Sequence, residues 1–190
     1  MCCIKIYNIC KGSVFFVKNI LVVVDIQNDF VDGALGSKEA VAIVDNAANK
    51  IKDFNGDIFV TYDTHFENYM DTQEGKNLPV SHCIKGTYGW QLNKKIANAL
   101  DGKKYTSVEK PTFGSVELVN LIKKTIGGDK AKITLIGLCT DICVVSNALL
   151  LKANLLESEI CVDASCCAGV SPETHNAALQ TMRCCQINII

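Results

Sequence analysis

The chain has 190 residues, 48% of them hydrophobic and 21% charged, with a formal net charge of −1. That length suits one domain with a full core and is short for two, and the composition is that of a folded globular protein. With so small a net charge, and with Lys and Arg scattered along the chain, neither a nucleic-acid partner nor an anionic membrane surface is expected.

No stretch reaches the roughly 18 apolar residues that a membrane span requires. The opening "MCCIKIYNICKGSVFFVKNI" is apolar, but Lys5, Lys11 and Lys18 interrupt it and no clear small-residue cleavage site follows, which argues against a signal peptide. The 11 cysteines are odd in number and include the adjacent pairs Cys2-Cys3, Cys166-Cys167 and Cys184-Cys185. Most of the others sit in apolar runs such as "LIGLCTDICVV". They read as reduced thiols acting as small hydrophobes, and so as marks of a reducing compartment, with a cytoplasmic location expected.

In chain order, "NILVVVD" (19–25) is a continuous apolar run ending in an acid, as a strand buried on both faces would read. "SKEAVAIVDNAANKIKDF" then carries apolar residues at helical spacing, with Ser37 as its N-cap. "DIFVTYD" reads as a strand and leads into a long loop. "WQLNKKIANAL" reads as a helix, "KYTSVEK" as a strand, and "SVELVNLIKKTI" as a helix capped by Ser115. "KITLIGL" is a strand, "DICVVSNALLLKAN" a helix and "EICVDAS" a strand. "SPETHNAALQTMRCC" is a helix with Pro172 in its first turn, and "INII" suits a last short strand. Residues 1–18 carry none of the motifs described below and read as an extension of unassigned role before a single domain over 19–190.

Strand and helix alternate about five times, which predicts a three-layer α/β/α architecture. It is Rossmann-like: a mostly parallel sheet of five to six strands with helices on both faces. In such sheets ligands bind outside the carboxyl ends of the strands. Asp25 ends the first strand, Asp63 ends the second, Lys110 follows the third and Cys143 follows the fourth, so all four project towards one edge.

Each has a plain reading: Cys143 as one of many thiols, Asp25 as a solvated strand-end carboxylate, Lys110 before Pro111 as a surface lysine. His175, in the last helix, reads as an ordinary helical histidine. As a set they suit nucleophilic catalysis. "GLCTDIC" leads from strand to helix and puts Cys143 near a helix N-terminus, where the dipole favours the thiolate. A thiol nucleophile needs a proton acceptor, and no histidine follows a strand in a suitable place. Asp25 can serve if a cation holds it, and Lys110 supplies one.

The motifs "VVVDIQNDF", "DTH…SHC", "EKPTFGS" and "GLCTDICV", in this order, resemble the isochorismatase-like cysteine hydrolases and, within them, the nicotinamidase-type amidases. The resemblance covers roughly residues 19 to 190. It implies a catalytic triad of Asp25, Lys110 and Cys143. It also implies a cis peptide bond between Leu138 and Cys139, with the backbone N–H groups of Cys139 and Cys143 forming an oxyanion hole. Members without the triad cysteine cleave isochorismate, so Cys143 points to amide hydrolysis.

The loop "YDTHFENYMDTQEGKNLPVSHC" (62–83) holds two of the three histidines. Asp63 and His65 lie two apart at a strand end, so an extended backbone aims both to one side. His82 returns at the far end, just before "CIKGTYGW", a string resembling the nicotinamidase metal loop. Asp63, His65 and His82 suit an open site for a divalent ion, with zinc leading and iron or manganese as alternatives. Glu74 matches the place where some relatives supply a further carboxylate, and Glu67 competes on proximity. The alternative is a set of polar residues on a long loop.

Nicotinamidases often carry a tryptophan three residues before the second metal histidine, and here Pro79 holds that position. Trp90 reads as opening a helix in the core, which leaves Phe30 and Phe113 as aromatic walls for a substrate. The resemblance thus implies a metal-containing cysteine amidohydrolase acting on a small-molecule amide, nicotinamide leading, with a role in NAD salvage. The alternatives are a hydrolase of another amide or a carbamoyl compound, and a non-catalytic metal-binding domain on the same scaffold. A homo-oligomer is compatible with the resemblance, and no sequence feature selects its kind.

Overall fold

An apolar run such as that of the first strand needs cover on both faces. The computed structural model, which describes residues 17–190, provides it. Six strands, β1 (Val17–Val24), β2 (Asp57–Asp63), β3 (Tyr105–Lys110), β4 (Lys130–Leu138), β5 (Glu159–Ala168) and β6 (Asn188–Ile189), form one sheet in the order β3-β2-β1-β4-β5-β6. Every pairing is parallel. β1 begins two residues before the expected run, so Val17 and Lys18 belong to the sheet. The remainder of the expected extension, residues 1–16, lies outside the described residues.

Alternation along β1 divides its side chains between two cores. Ile20, Val22 and Val24 face one layer together with Leu118, Ile122, Val144, Leu151 and Met182. Leu21 and Val23 face the other, with Ile43, Ala47, Ile51 and Ile96. The first layer is built by α5 (Val116–Ile126), α6 (Val145–Asn154) and α7 (Pro172–Cys184), the second by α2 (Lys38–Asp53) and α4 (Lys94–Leu100). Each such aliphatic side chain taken from water contributes about 1.5–3 kcal/mol. Burial on both faces is therefore what turns the run into a central strand.

The expected caps are present. Ser37 Oγ accepts from Ala40 N–H at 3.0 Å and Ser115 Oγ accepts from Leu118 N–H at 3.1 Å. Ser171 caps α7 with Pro172 in its first turn. Three segments differ from the sequence reading. Trp90 does not open a helix: Asn93 caps α4, its Oδ1 accepting from Lys95 N–H at 3.0 Å, and Trp90 sits in the preceding turn. The loop over 62–83 contains a 3-10 turn (Tyr69–Asp71) and a short helix, α3 (Gln73–Asn77). The helix expected from Asp141 opens instead as a π turn over Thr140–Val144 that runs into α6.

The strand order reverses between β1 and β4, which are neighbours, so the crevice beyond their carboxyl ends is where a ligand is expected. At that end β1 and β4 approach closely. A Cβ on Gly137, which has φ +125°, would lie 2.0 Å from Val24 O, so only glycine fits there. Among the described residues no helix is long and apolar enough to cross a membrane.

Candidate active site and metal cluster

Asp25 follows β1 directly, in a left-handed conformation with φ +47°. Thr61 on β2 donates its hydroxyl to Asp25 Oδ1 at 2.6 Å. Lys110, the last residue of β3, is 1% exposed despite its charge, which burial tolerates only with partners. Its Nζ lies 2.7 Å from Asp25 Oδ2 and 3.2 Å from Asp63 Oδ1. It also donates to Thr112 O at 3.1 Å and approaches Cys143 Sγ at 3.5 Å. Asp25 Oδ2, paired with Lys110 and with no other partner among the described residues, keeps a second lone pair for a proton. Cys143 lies in the π turn, 5% exposed, and the Leu138–Cys139 peptide bond is cis.

Burial pushes the Cys143 thiol well above its ordinary value, and the Asp25 carboxylate beside it adds to that, while Lys110 opposes. Desolvation of the sulfur therefore opposes the thiolate expected from the helix N-terminus. Burial also raises Asp25, with Lys110 opposing and Asp63 adding. Lys110 itself is held up by Asp25, Cys143 and Asp63 against the penalty of burial. Burial thus disfavours a free thiolate at Cys143, and a carboxylate raised as Asp25 is makes a stronger proton acceptor than one in water.

Beside this set, Asp63, His65 and His82 offer one ligand atom each, all within 4.8 Å of one another and all buried. Asp63 Oδ2 is 2.9 Å from His65 Nε2 and 3.4 Å from His82 Nε2. Glu74 Oε1 lies 3.6 Å and 3.9 Å from the same two nitrogens, whereas Glu67 is exposed. Burial works against the Asp63 charge, but His65, His82 and Lys110 together hold its carboxyl below the usual range, so it remains ionised. His82 Nδ1 lies 2.8 Å from Val80 O, a carbonyl that can only accept, so Nδ1 carries a proton and Nε2 is the ring atom turned to the cluster. His65 Nε2 is buried, and among the described residues its only near approaches are to the Asp63 and Glu74 carboxylates, neither of them at good hydrogen-bond geometry. An orphaned ring nitrogen beside a carboxylate and a second ring nitrogen fits a divalent cation with N and O ligands.

Cys143 of the first set and Asp63 and His82 of the second line one cavity of about 340 Å³ between Phe30, Leu35, Leu78, Phe113, Ile142 and Val170, with Glu74 and Cys139 also in its wall. Asp25, Lys110 and His65 do not line it and reach it through these neighbours. Phe30 packs its ring 5.5 Å from His82, and Phe113 stands half-exposed at the mouth. Pro79 is exposed and does not line the cavity, and neither does Trp90, whose Nε1–H donates to Thr64 Oγ1 at 2.9 Å.

A family profile described as the isochorismatase domain matches residues 19–190. The nicotinamidase/pyrazinamidase of Mycobacterium tuberculosis is 27% identical over 187 residues, covering 90% of this chain and 97% of its own. The chain belongs to the isochorismatase family. Among solved structures, the pyrazinamidase/nicotinamidase of Streptococcus mutans is 29% identical with a TM-score of 0.78, over 90% of this chain and 99% of that one. The pyrazinamidase of Pyrococcus horikoshii, solved in complex with zinc, is 25% identical with a TM-score of 0.76, over 91% and 98%. Within the family this chain stands with the nicotinamidase-type hydrolases.

Three residues of this isochorismatase-family site escaped sequence reasoning. Gln27, fully buried, receives Asp63 N–H at 2.8 Å on Oε1. Its Nε2 donates to Asp63 O at 2.9 Å and to Trp90 O at 2.8 Å. It thereby fixes the end of β2 from which Asp63 and His65 project. Asn147, also fully buried, donates to Cys143 O at 2.8 Å and Phe113 O at 3.0 Å and accepts from Ser115 N–H at 2.9 Å, joining the π turn to the loop after Lys110. Tyr69 packs edge-on against both histidine rings, at 4.7 and 5.0 Å. The only signal for Asn147 is its place four residues after Cys143, on the same helical face. His175 accepts or donates at Nδ1 to Thr140 Oγ1 at 2.8 Å and takes no part in the cluster.

Proposed function

We propose that this protein is a metal-containing cysteine amidohydrolase that converts nicotinamide to nicotinate and ammonia through a thioester. The observation that carries the reading is that Cys143, backed by Lys110 and Asp25, and Asp63 and His82, backed by His65, face one small, mostly apolar cavity. In such a cavity the amide carbon reaches Cys143 Sγ while the ring lies between Phe30 and Phe113. The zinc bound by the Pyrococcus horikoshii relative supports a divalent ion here. Held by Asp63, His65 and His82, with Glu74 close by, the ion would supply a docking point for the ring nitrogen; iron and manganese suit the same donors.

In the reaction proposed, Asp25 accepts the Cys143 proton as Sγ bonds to the amide carbon, and Lys110 keeps the Asp25 carboxylate in place throughout. The oxyanion that forms takes hydrogen bonds from the backbone N–H groups of Cys139 and Cys143. In acyl transfers each such donor contributes about 2.7–4 kcal/mol to the transition state. Asp25 returns its proton to the leaving nitrogen as the C–N bond breaks, releasing ammonia. It then deprotonates a water that attacks the thioester, the C–S bond breaks, and the sulfur recovers the proton from Asp25. This activity would serve nicotinamide salvage in a reducing cytoplasm.

The aliphatic rim favours a second reading on the same chemistry. Leu35, Leu78, Ile142 and Val170 make much of the wall beside Phe30 and Phe113, which also suits a different small amide or carbamoyl compound. Ammonia release from nicotinamide, with zinc, iron or manganese added in parallel, tests the first reading. A rate that a chelator abolishes is expected. Silence with every metal, followed by turnover of another amide in a substrate panel, would replace nicotinamide with that substrate.

A further inference from the structure

The return arm of the metal cluster depends on an awkward turn. Cys83, directly after His82, has φ +47° although it carries a Cβ, and its side chain is fully buried. L-residues other than glycine adopt that region at a cost, so something must hold the turn. The Cys83 N–H points at Asp29 on helix α1 (Asn28–Val31) and donates to its Oδ2 at 2.7 Å, a short hydrogen bond to a charged acceptor. Asp29 is itself fixed. Its own N–H donates to Gly89 O at 3.0 Å, and its Oδ1 accepts from Ala34 N–H at 3.3 Å. Gly89 leaves the room this needs, since a Cβ there would lie 2.1 Å from Asp29 Oδ2. Asp29 neither lines the cavity nor belongs to the ligand cluster.

From this geometry we infer that Asp29 is a positioning residue for the metal cluster: its carboxylate holds Cys83 in the left-handed turn that aims His82 Nε2 at Asp63 and His65. The inference rests on reading that cluster as a metal site. Asp29 acts through the backbone of Cys83, so what matters is an acceptor at Oδ2 and the conformation of residue 83. Asn in place of Asp retains an acceptor. Gly in place of Cys83 adopts φ +47° without the steric cost and removes the need for one.

The test is zinc affinity, measured for the full chain by competition with a chromophoric chelator, alongside thermal melts of each metal-free variant. Asp29→Ala is expected to weaken zinc by about 10–100-fold, the usual effect of losing a partner that orients a ligand. Asp29→Asn is expected to stay near the unaltered protein, and Cys83→Gly in the Asp29→Ala background to recover most of the loss. Gly89→Ala, which keeps Asp29 but displaces its carboxylate, should reproduce the loss by a second route and serves if Asp29→Ala does not fold. Unaltered zinc affinity in Asp29→Ala or in Gly89→Ala overturns the inference. A loss that neither Asp29→Asn nor Cys83→Gly repairs also overturns it, by showing general damage. If the unaltered chain binds no zinc, iron or manganese, the metal reading itself falls and the inference with it.

Discussion

Asp63 Oδ1 lies 3.2 Å from Lys110 Nζ, while the other oxygen of the same carboxylate faces His65 and His82 at 2.9 and 3.4 Å. One side chain at the end of β2 therefore belongs to both halves of the site. The charge that draws a cation to the histidines is the charge that Lys110 leans on, along with Asp25, to remain protonated inside the protein. Gln27 holds the Asp63 backbone from both its N–H and its C=O, which fixes the point from which the shared carboxylate projects.

Cys143→Ala should abolish ammonia release and leave the fold intact. Loss of an activated nucleophile costs on the order of 10⁴-fold or more in turnover, while removing one buried sulfur makes only a small cavity. Ammonia assays beside a thermal melt check both parts, and retained activity would sink the thioester mechanism.

Lys110→Met should damage stability as well as activity. It leaves Asp25 and Asp63, both buried, without their cation. Stranding buried charge in this way costs about 3–5 kcal/mol. For a domain of this size that corresponds to a fall in Tm of roughly 6–20 °C. An unchanged melt would mean that the Asp25–Lys110 pair contributes little to folding.

The rate should fall on the acid side. Asp25 must be ionised to accept the thiol proton, and burial raises its pKa against the pull of Lys110. Activity is therefore lost as pH drops through that raised value, and the acid limb of kcat/KM should lie above the ordinary aspartate value of about 3.9. The profile is measured with zinc in excess, so that loss of metal does not mimic the limb. A limb at the ordinary value would remove Asp25 as a desolvated base.

His82→Ala should lower bound metal by more than the roughly 10–100-fold expected for an orienting residue, because it deletes a ligand atom. Metal analysis after dialysis against zinc decides this, and undiminished zinc would take His82 off the ligand set.

Much of this architecture is legible along the chain. The apolar run before Asp25 has to be covered on both faces, and periodicity with the Ser37, Ser115 and Pro172 signals places three of the helices. The strand-end positions of Asp25, Asp63 and Lys110 follow from the alternation alone. Helical spacing runs on through "WQLN", but the Asn93 cap, a competing local signal, sets the true start and leaves Trp90 in the turn before it. Gln27 and Asn147 carried no such signal. Gln27's partner Asp63 and Asn147's partner Phe113 lie 36 and 34 residues away in sequence and come within reach only when strands and loops meet; only the Asn147 contact with Cys143 is local.

The sequence by itself determined the layers, the side of the sheet on which reactive groups gather and the types of group present, because these depend on spacing and on which side chains water rejects. Only the tertiary structure decided their charge states and their mutual aim. Burial, a property of the packed whole, pushes the Cys143 thiol up where the local helix end favours a thiolate. The choice of Glu74 over Glu67 as the carboxylate facing the histidines likewise waits on how the loop folds back, bringing His65 and Ile84 side by side.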